Sequence, residues 1–164
     1  MSFSIRLSKE NFKFSCSHFT ILAKDHAERL HGHNYYIEAE FELKSIDDKL
    51  GMGFDFNLVK PLIREIADQL DEFVLIPSKS PYLKIEATKD RIIVRFHDKH
   101  YDLPASDVKS LPVANITSEE LARYVATQLL ERMKKDAQLA SRVKSLSIGI
   151  QETRGQAVHY RVDF

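Results

Sequence analysis

The 164-residue sequence carries 24 Lys and Arg against 24 Asp and Glu, a formal net charge of zero, so no net field draws it to nucleic acid or to an anionic membrane. Its length predicts a single domain over residues 1–164 with a normal core, and its one cysteine, Cys16, excludes an internal disulfide and fits a reducing compartment. The first residues lack the charged-then-apolar layout of a secretory signal, and no apolar run approaches the roughly 18 residues of a membrane span, so the expected location is the cytoplasm.

In chain order, residues 2–7 and 11–19 alternate apolar and polar side chains and read as strands. Residues 20–30 read as a polar-leaning loop. The next strand, over 32–44, puts His31, His33, Tyr35, Ile37, Ala39, Phe41 and Leu43 on one face and Asn34, Glu38, Glu40 and Glu42 on the other. Pairing it antiparallel with 11–19 would bring His18 near His31 and His33. A charged turn follows over 44–50, then a short extended piece over 51–56. Asn57 is the expected N-cap of a helix running to about Leu70, with Pro61 in its first turn, where a missing N–H costs little. Leu58, Val59, Leu62, Ile63, Ile66, Ala67 and Leu70 recur at helical spacing and would face a sheet.

Residues 71–77 leave that helix. Residues 82–87, 91–96 and 100–103 read as a small β-meander, with turns at Lys89-Asp90 and Asp98-Lys99, and 104–112 reads as a loop. Thr117 with Glu120 forms a capping box that opens a second helix, whose buried stripe is Leu121, Ala122, Val125, Ala126, Leu129 and Met133. Residues 143–152 and 157–164 form a closing hairpin with Arg154-Gly155 at its turn. This order predicts an α+β fold: an antiparallel sheet with both helices on one face.

The residues that carry chemistry gather around His31-Gly32-His33. Histidines at i and i+2 of a strand share a face, roughly 6–7 Å apart along the chain, and two imidazoles can then converge on one ion. Gly32, without a Cβ, leaves room for a bend or a close approach. His18 supplies a third imidazole, which completes the open pattern of three protein ligands and a free position. Both strand histidines lie on the apolar face, where an imidazole needs partners, and a metal is one such partner. Cys16 shares that face and reads as a small core residue. Glu119 and Glu120 suit the positive end of the helix dipole. His97 and His100 read as exposed meander residues, and His159 as a residue of the polar face. Asp71-Glu72 reads from spacing alone as a solvated helix end, and Glu152 as a strand-end acid.

Taken together, Phe14 to His18, Leu30 to Tyr35, Gly51 to Lys60, Leu70-Asp71, Thr117-Ser118-Glu119 and Glu152-Thr153 resemble the 6-pyruvoyl-tetrahydropterin synthase family, which includes 6-carboxy-tetrahydropterin synthase of queuosine biosynthesis. The resemblance implies a tunnelling fold: a four-stranded antiparallel sheet backed by two helices, here with a small β-meander between the helices. It also implies subunit sheets joined edge to edge into a barrel, usually as a homohexamer. It implies zinc on His18, His31 and His33, and a pterin held by Glu152 and Thr117. The common family form has a cysteine four residues before the first histidine of His-Gly-His and an Asp-His pair after the first helix. Here those positions hold Ala27 and Asp71-Glu72, so the resemblance places Asp71 among the catalytic residues, and a carboxylate base, Glu72 or Glu28, or else His26, would take the thiol's place. The expected activity is a zinc-dependent lyase reaction on dihydroneopterin triphosphate or a related pterin. The alternatives are 6-carboxy-tetrahydropterin synthesis and a pterin-binding protein whose catalysis has decayed.

Overall fold

The computed structural model describes residues 3–153 and 155–164; Ser2, expected to open the first strand, and Arg154, expected at the last turn, lie outside the described residues. The two expected N-terminal strands are one, β1 (Ser4–His18), with an irregularity in its pairing between Ser8 and Lys13. The expected loop over 20–30 carries a small hairpin, β2 (Ile21–Ala23) and β3 (His26–Ala27). Next comes β4 (His31–Leu43), antiparallel to β1 with His18 opposite His31 and Cys16 opposite His33.

The first helix, α1 (Lys60–Asp68), starts later than its sequence pattern suggests. No side chain caps α1, whose N-cap is Val59; Asp55, not Asn57, caps the 3-10 turn over Phe56–Leu58 that leads into it, its carboxylate accepting from the Asn57 N–H at 2.8 Å. Both residues are cap-competent, and the one that stays outside the turn takes the role. Pro61 then sits in the first turn of α1.

β5 (Phe73–Pro77) runs parallel to β1, and β9 (Val108–Leu111), in the expected loop over 104–112, runs parallel to β5. The expected four-stranded sheet therefore has six strands, in the order β11-β10-β4-β1-β5-β9, where β10 is Val143–Thr153 and β11 is Gln156–Asp163. Its first four strands are antiparallel, as expected. Of the other two, β5 was hidden for a physical reason. Strands covered on both faces lack polar alternation, and Phe-Val-Leu-Ile-Pro shows none. The meander is present as β6 (Lys84–Ala87), β7 (Arg91–Phe96) and β8 (Lys99–Pro104), with its second turn at His97-Asp98, one residue earlier than expected.

Thr117 caps α2 (Ser118–Met133) by accepting from the Glu120 N–H at 3.3 Å, as its pattern predicts, and a short α3 (Ala137–Arg142) follows, capped by Asp136. The apolar faces of β1, β4 and β10 meet Ile63, Ile66, Val125, Ala126 and Leu129 of the helices in one core, where Tyr35, Ala39 and Phe41 are fully buried. A second, smaller core holds Phe19, Ile21, Ala27, Ile76, Val94 and Phe96, and so joins the β2–β3 hairpin to the meander.

Candidate metal and ligand site

The strand register alone brings the histidines together. His18 ends β1, His31 begins β4, and the antiparallel pairing sets them opposite each other. Their ring centroids lie 4.7 Å apart, with His33 at 5.4 Å from His18 and 4.7 Å from His31. Each offers a ring nitrogen, and these atoms all lie within 4.8 Å of one another. Gly32 is not needed sterically. A Cβ there would meet the Cys16 carbonyl oxygen at 3.5 Å and the Ser17 Oγ at 3.9 Å, both ordinary contacts, so the expected room for a close approach plays no part in bringing the histidines together.

The surroundings fix which nitrogen is free. His18 Nδ1 lies 3.2 Å from the Ile116 carbonyl oxygen, and His31 Nδ1 lies 2.7 Å from that of Arg29. A carbonyl only accepts, so each Nδ1 carries the hydrogen and each Nε2 presents a lone pair. Burial, then the neighbouring His31 and His33, lower the pKa of His18, so its ring stays neutral at neutral pH.

Tyr35 Oη stands 3.0 Å from His18 Nε2 and 3.0 Å from Glu152 Oε1. Both neighbours are acceptors, and a phenol has one hydrogen. Burial, and then the Glu152 carboxylate, push the phenol pKa well above its ordinary value, so that hydrogen stays in place. The hydroxyl can therefore serve only one of the two at a time. A cation on the histidines would take the His18 lone pair and leave the hydroxyl to Glu152, and three imidazole nitrogens within 4.8 Å of one another, two of the rings oriented by backbone carbonyls, are a donor set that fits zinc.

Glu152 Oε1 also lies 3.2 Å from His33 Nε2. Glu152 and Thr117 line a common cavity with Thr20, Ser118, Glu119 and Gln156, so the two expected ligand-contacting residues do meet. Glu28 reaches the cluster from the β2–β3 hairpin. Its Oε2 lies 3.9 Å from His31 Nε2 and accepts from the Thr20 N–H at 3.2 Å. Burial raises the Glu28 pKa, but hydrogen bonds from Thr20 and then the nearby histidines outweigh it, so the net shift is downward and the group is ionised.

Asp71 and Glu72 stand on the other side of β1, ahead of β5. Asp71 Oδ1 accepts from the Ser15 N–H at 2.6 Å, which ties it to the sheet. Glu72 adopts a left-handed backbone (φ 63°) while its N–H donates to the Ser15 carbonyl at 2.7 Å. Its side chain lines a cleft with Ser15, Asn34 and Asp107, to whose wall His33 also contributes. His26 is exposed on β3, and Ala27 buries its methyl in the second core. Cys16 is buried, and its thiol is pushed up to about 12 by burial, then by Asp71 and Glu152, which keeps it protonated and unreactive.

Reading the sequence missed Tyr35, although alternation places it on the face of His31 and His33. It also missed the carbonyls of Ile116 and Arg29, which no residue type could have signalled.

The model of the family described as 6-pyruvoyl tetrahydropterin synthase matches residues 6–163. A Methanocaldococcus jannaschii protein provisionally named 6-carboxy-5,6,7,8-tetrahydropterin synthase is 29% identical over 132 residues, covering 80% of this chain and 79% of its own. A Pyrococcus abyssi protein with the same provisional name is 32% identical over 120 residues, 73% of this chain and 70% of its own. The crystal structure of Plasmodium vivax 6-pyruvoyl tetrahydropterin synthase superposes with a TM-score of 0.92 at 25% identity, over 100% of this chain and 99% of that one. A second structure of that enzyme, in which a glutamate described as a catalytic residue is replaced by alanine, superposes with a TM-score of 0.92 at 24% identity, over the same shares.

Proposed function

This chain belongs to the 6-pyruvoyl tetrahydropterin synthase family of pterin-processing enzymes, and on that premise we propose that it is a zinc-dependent lyase acting on the side chain of dihydroneopterin triphosphate or a related pterin. The observation that carries the reading is the meeting of His18, His31 and His33 beside Glu152, which lines a cavity with Thr117. When bound there, zinc supplies polarisation of a substrate side-chain oxygen, worth several kcal/mol by typical measure.

The chain's own groups do the rest. Glu152 accepts paired N–H bonds from the guanidine-like edge of the pterin ring, with Tyr35 holding one of its oxygens in place. Thr117 contacts the ring from the start of α2. Glu28 acts as the general base. Its ionised carboxylate stands beside His31, its Oε2 held by the Thr20 N–H, and the P. vivax enzyme carries a catalytic glutamate. Glu28 thereby fills the role left open by Ala27, and its geometry weighs against decayed catalysis. Glu72 remains the second candidate base, because its cleft shares His33. Asp71 serves the sheet.

A second reading, 6-carboxy-tetrahydropterin synthesis, is favoured by the names of the archaeal relatives. In either case the open outer edge of β11 suits edge-to-edge joining of subunit sheets into a barrel, as a homohexamer. The test is incubation with dihydroneopterin triphosphate and identification of products by mass spectrometry, for wild type, Glu28→Gln and Glu72→Gln. The expected result is a 6-pyruvoyl product, with a loss of about 10²–10⁴-fold in kcat for Glu28→Gln and a near-normal rate for Glu72→Gln. A 6-carboxy product selects the second reading. An unchanged rate in Glu28→Gln overturns the base assignment.

A further inference from the structure

We infer that Asn115 is a positioning residue that joins the base-bearing hairpin to the carbonyl that orients His18, so that one side-chain amide sets the spacing between proton acceptor and metal ligand. The inference rests on the roles proposed above for Glu28 and His18.

Asn115 lies in the loop between β9 and α2. Its Oδ1 accepts from the Ile21 N–H and from the Ile116 N–H, each at 3.0 Å, and its Nδ2 donates to the Ile21 carbonyl at 2.8 Å. The pattern allows one amide orientation, because the flipped form would set an NH2 group against two N–H donors. The side chain therefore grips the β2 backbone on both its donor and its acceptor, across 94 residues of sequence.

Each end of this grip leads to the site in one step. On one side, Ile21 follows Thr20. The Thr20 N–H donates to the Glu28 carboxylate at 3.2 Å, and the Thr20 carbonyl accepts the Glu28 N–H at 2.9 Å. On the other side, Ile116 presents the carbonyl that receives His18 Nδ1 at 3.2 Å. The Thr20 hydroxyl donates to that same carbonyl at 3.4 Å, which closes the loop of bonds. Removing the amide would leave two backbone N–H groups and one carbonyl to find new partners. The two arms would then move independently. Thr117 and Glu152 take no part in these bonds, so binding of the pterin ring should be spared.

The test compares wild type, Asn115→Ala, Asn115→Ser and Leu139→Ala. Leu139 is fully buried in α3, at the end of β10 remote from Glu152, and its truncation is the control for general loss of stability. Zinc affinity is measured by chelator competition, kcat and KM with the pterin substrate, and the His18 ring of the metal-free protein by 15N NMR.

The expected results for Asn115→Ala are a weakening of zinc by about 10–100-fold, a fall in kcat with KM nearly constant, and loss of the NMR signature of the Nδ1–H bond. Asn115→Ser, which keeps one acceptor, should lie between it and wild type, and it carries the test if Asn115→Ala does not fold. Leu139→Ala should lower Tm and leave zinc affinity alone. Zinc affinity and the His18 signature unchanged in the Asn115 variants would overturn the inference, as would an equal effect in Leu139→Ala or a KM that rises in step with the loss of kcat. If wild type itself takes up no zinc, the proposed function falls. The NMR comparison then decides the inference alone, with an unchanged His18 signature in the variants counting against it.

Discussion

The two ends of β4 present the same face of the same strand and use it in opposite ways. Toward Leu43 the face is Ile37, Ala39, Phe41 and Leu43, all buried in the main core, with Phe41 set edge to face against Phe54 at 5.4 Å. Toward His31 the face is His31, His33 and Tyr35, and it meets His18 and Glu152. Alternation dictates that all seven side chains point the same way. What covers them decides whether the face is core or site. At the apolar end helices close over it. At the polar end His33 and Tyr35 meet the distant Glu152, His31 is held by the nearby Arg29 carbonyl, and the histidine nitrogens lie within 4.8 Å of one another.

The sharpest way to break the comparison is one substitution at each end. His31→Ala should abolish tight zinc binding and, with the several kcal/mol that a bound metal supplies, lower kcat by about 10⁴-fold, while stability falls by less than about 1 kcal/mol because the residue is part-exposed. Phe41→Ala should do the reverse. It should cost about 3–5 kcal/mol in urea unfolding and leave zinc stoichiometry per folded chain unchanged. If the two variants lose zinc equally, the ends are not functionally distinct.

Tyr35→Phe sharpens the comparison at the boundary between the two ends. It keeps the ring, stacked on Phe14 at 5.3 Å, and removes only the hydroxyl that Glu152 needs. Pterin affinity should fall by about tenfold, in line with a hydrogen bond to a charged group, and zinc affinity should change little. A titration of each ligand in turn reads both.

The smallest effect is in pH. Burial and the neighbouring histidines lower the His18 pKa in the folded chain, whereas the unfolded group titrates near its ordinary value of about 6.5. The unfolded chain thus binds the extra proton first. Stability of the metal-free protein should be full above about pH 6.5 and decline below it, by at most about 1.4 kcal/mol per pH unit for this one group. Urea unfolding of metal-free wild type at pH 7.5 and 5.5 measures it, and equal midpoints would remove His18 from the account.

How much of this was legible follows from the same contrast. The shared face of His31, His33 and Tyr35 was readable because strand side chains repeat every two residues. The approach of His18 was readable because two alternating runs separated by a dozen residues pair antiparallel. The Thr117 cap was readable because its spacing to Glu120 is local. The carbonyls of Ile116 and Arg29 were not, since a backbone acceptor leaves no mark on residue type. Glu28 was visible only as one acid among several. Its place depends on the β2–β3 hairpin, which is held in the second core by Ile21 and Ala27 against Val94 and Phe96 of the meander, contacts set by the fold. β9, Val-Lys-Ser-Leu, is too short to show a period, and it became a strand because β5 offered it a free edge.

The central claim is that three imidazoles hold one cation beside Glu152, and elemental analysis of the purified wild-type protein tests it most directly. The account predicts one zinc per chain, removable by chelator and restored on adding zinc. Protein that carries no transition metal and takes none up at neutral pH would contradict it.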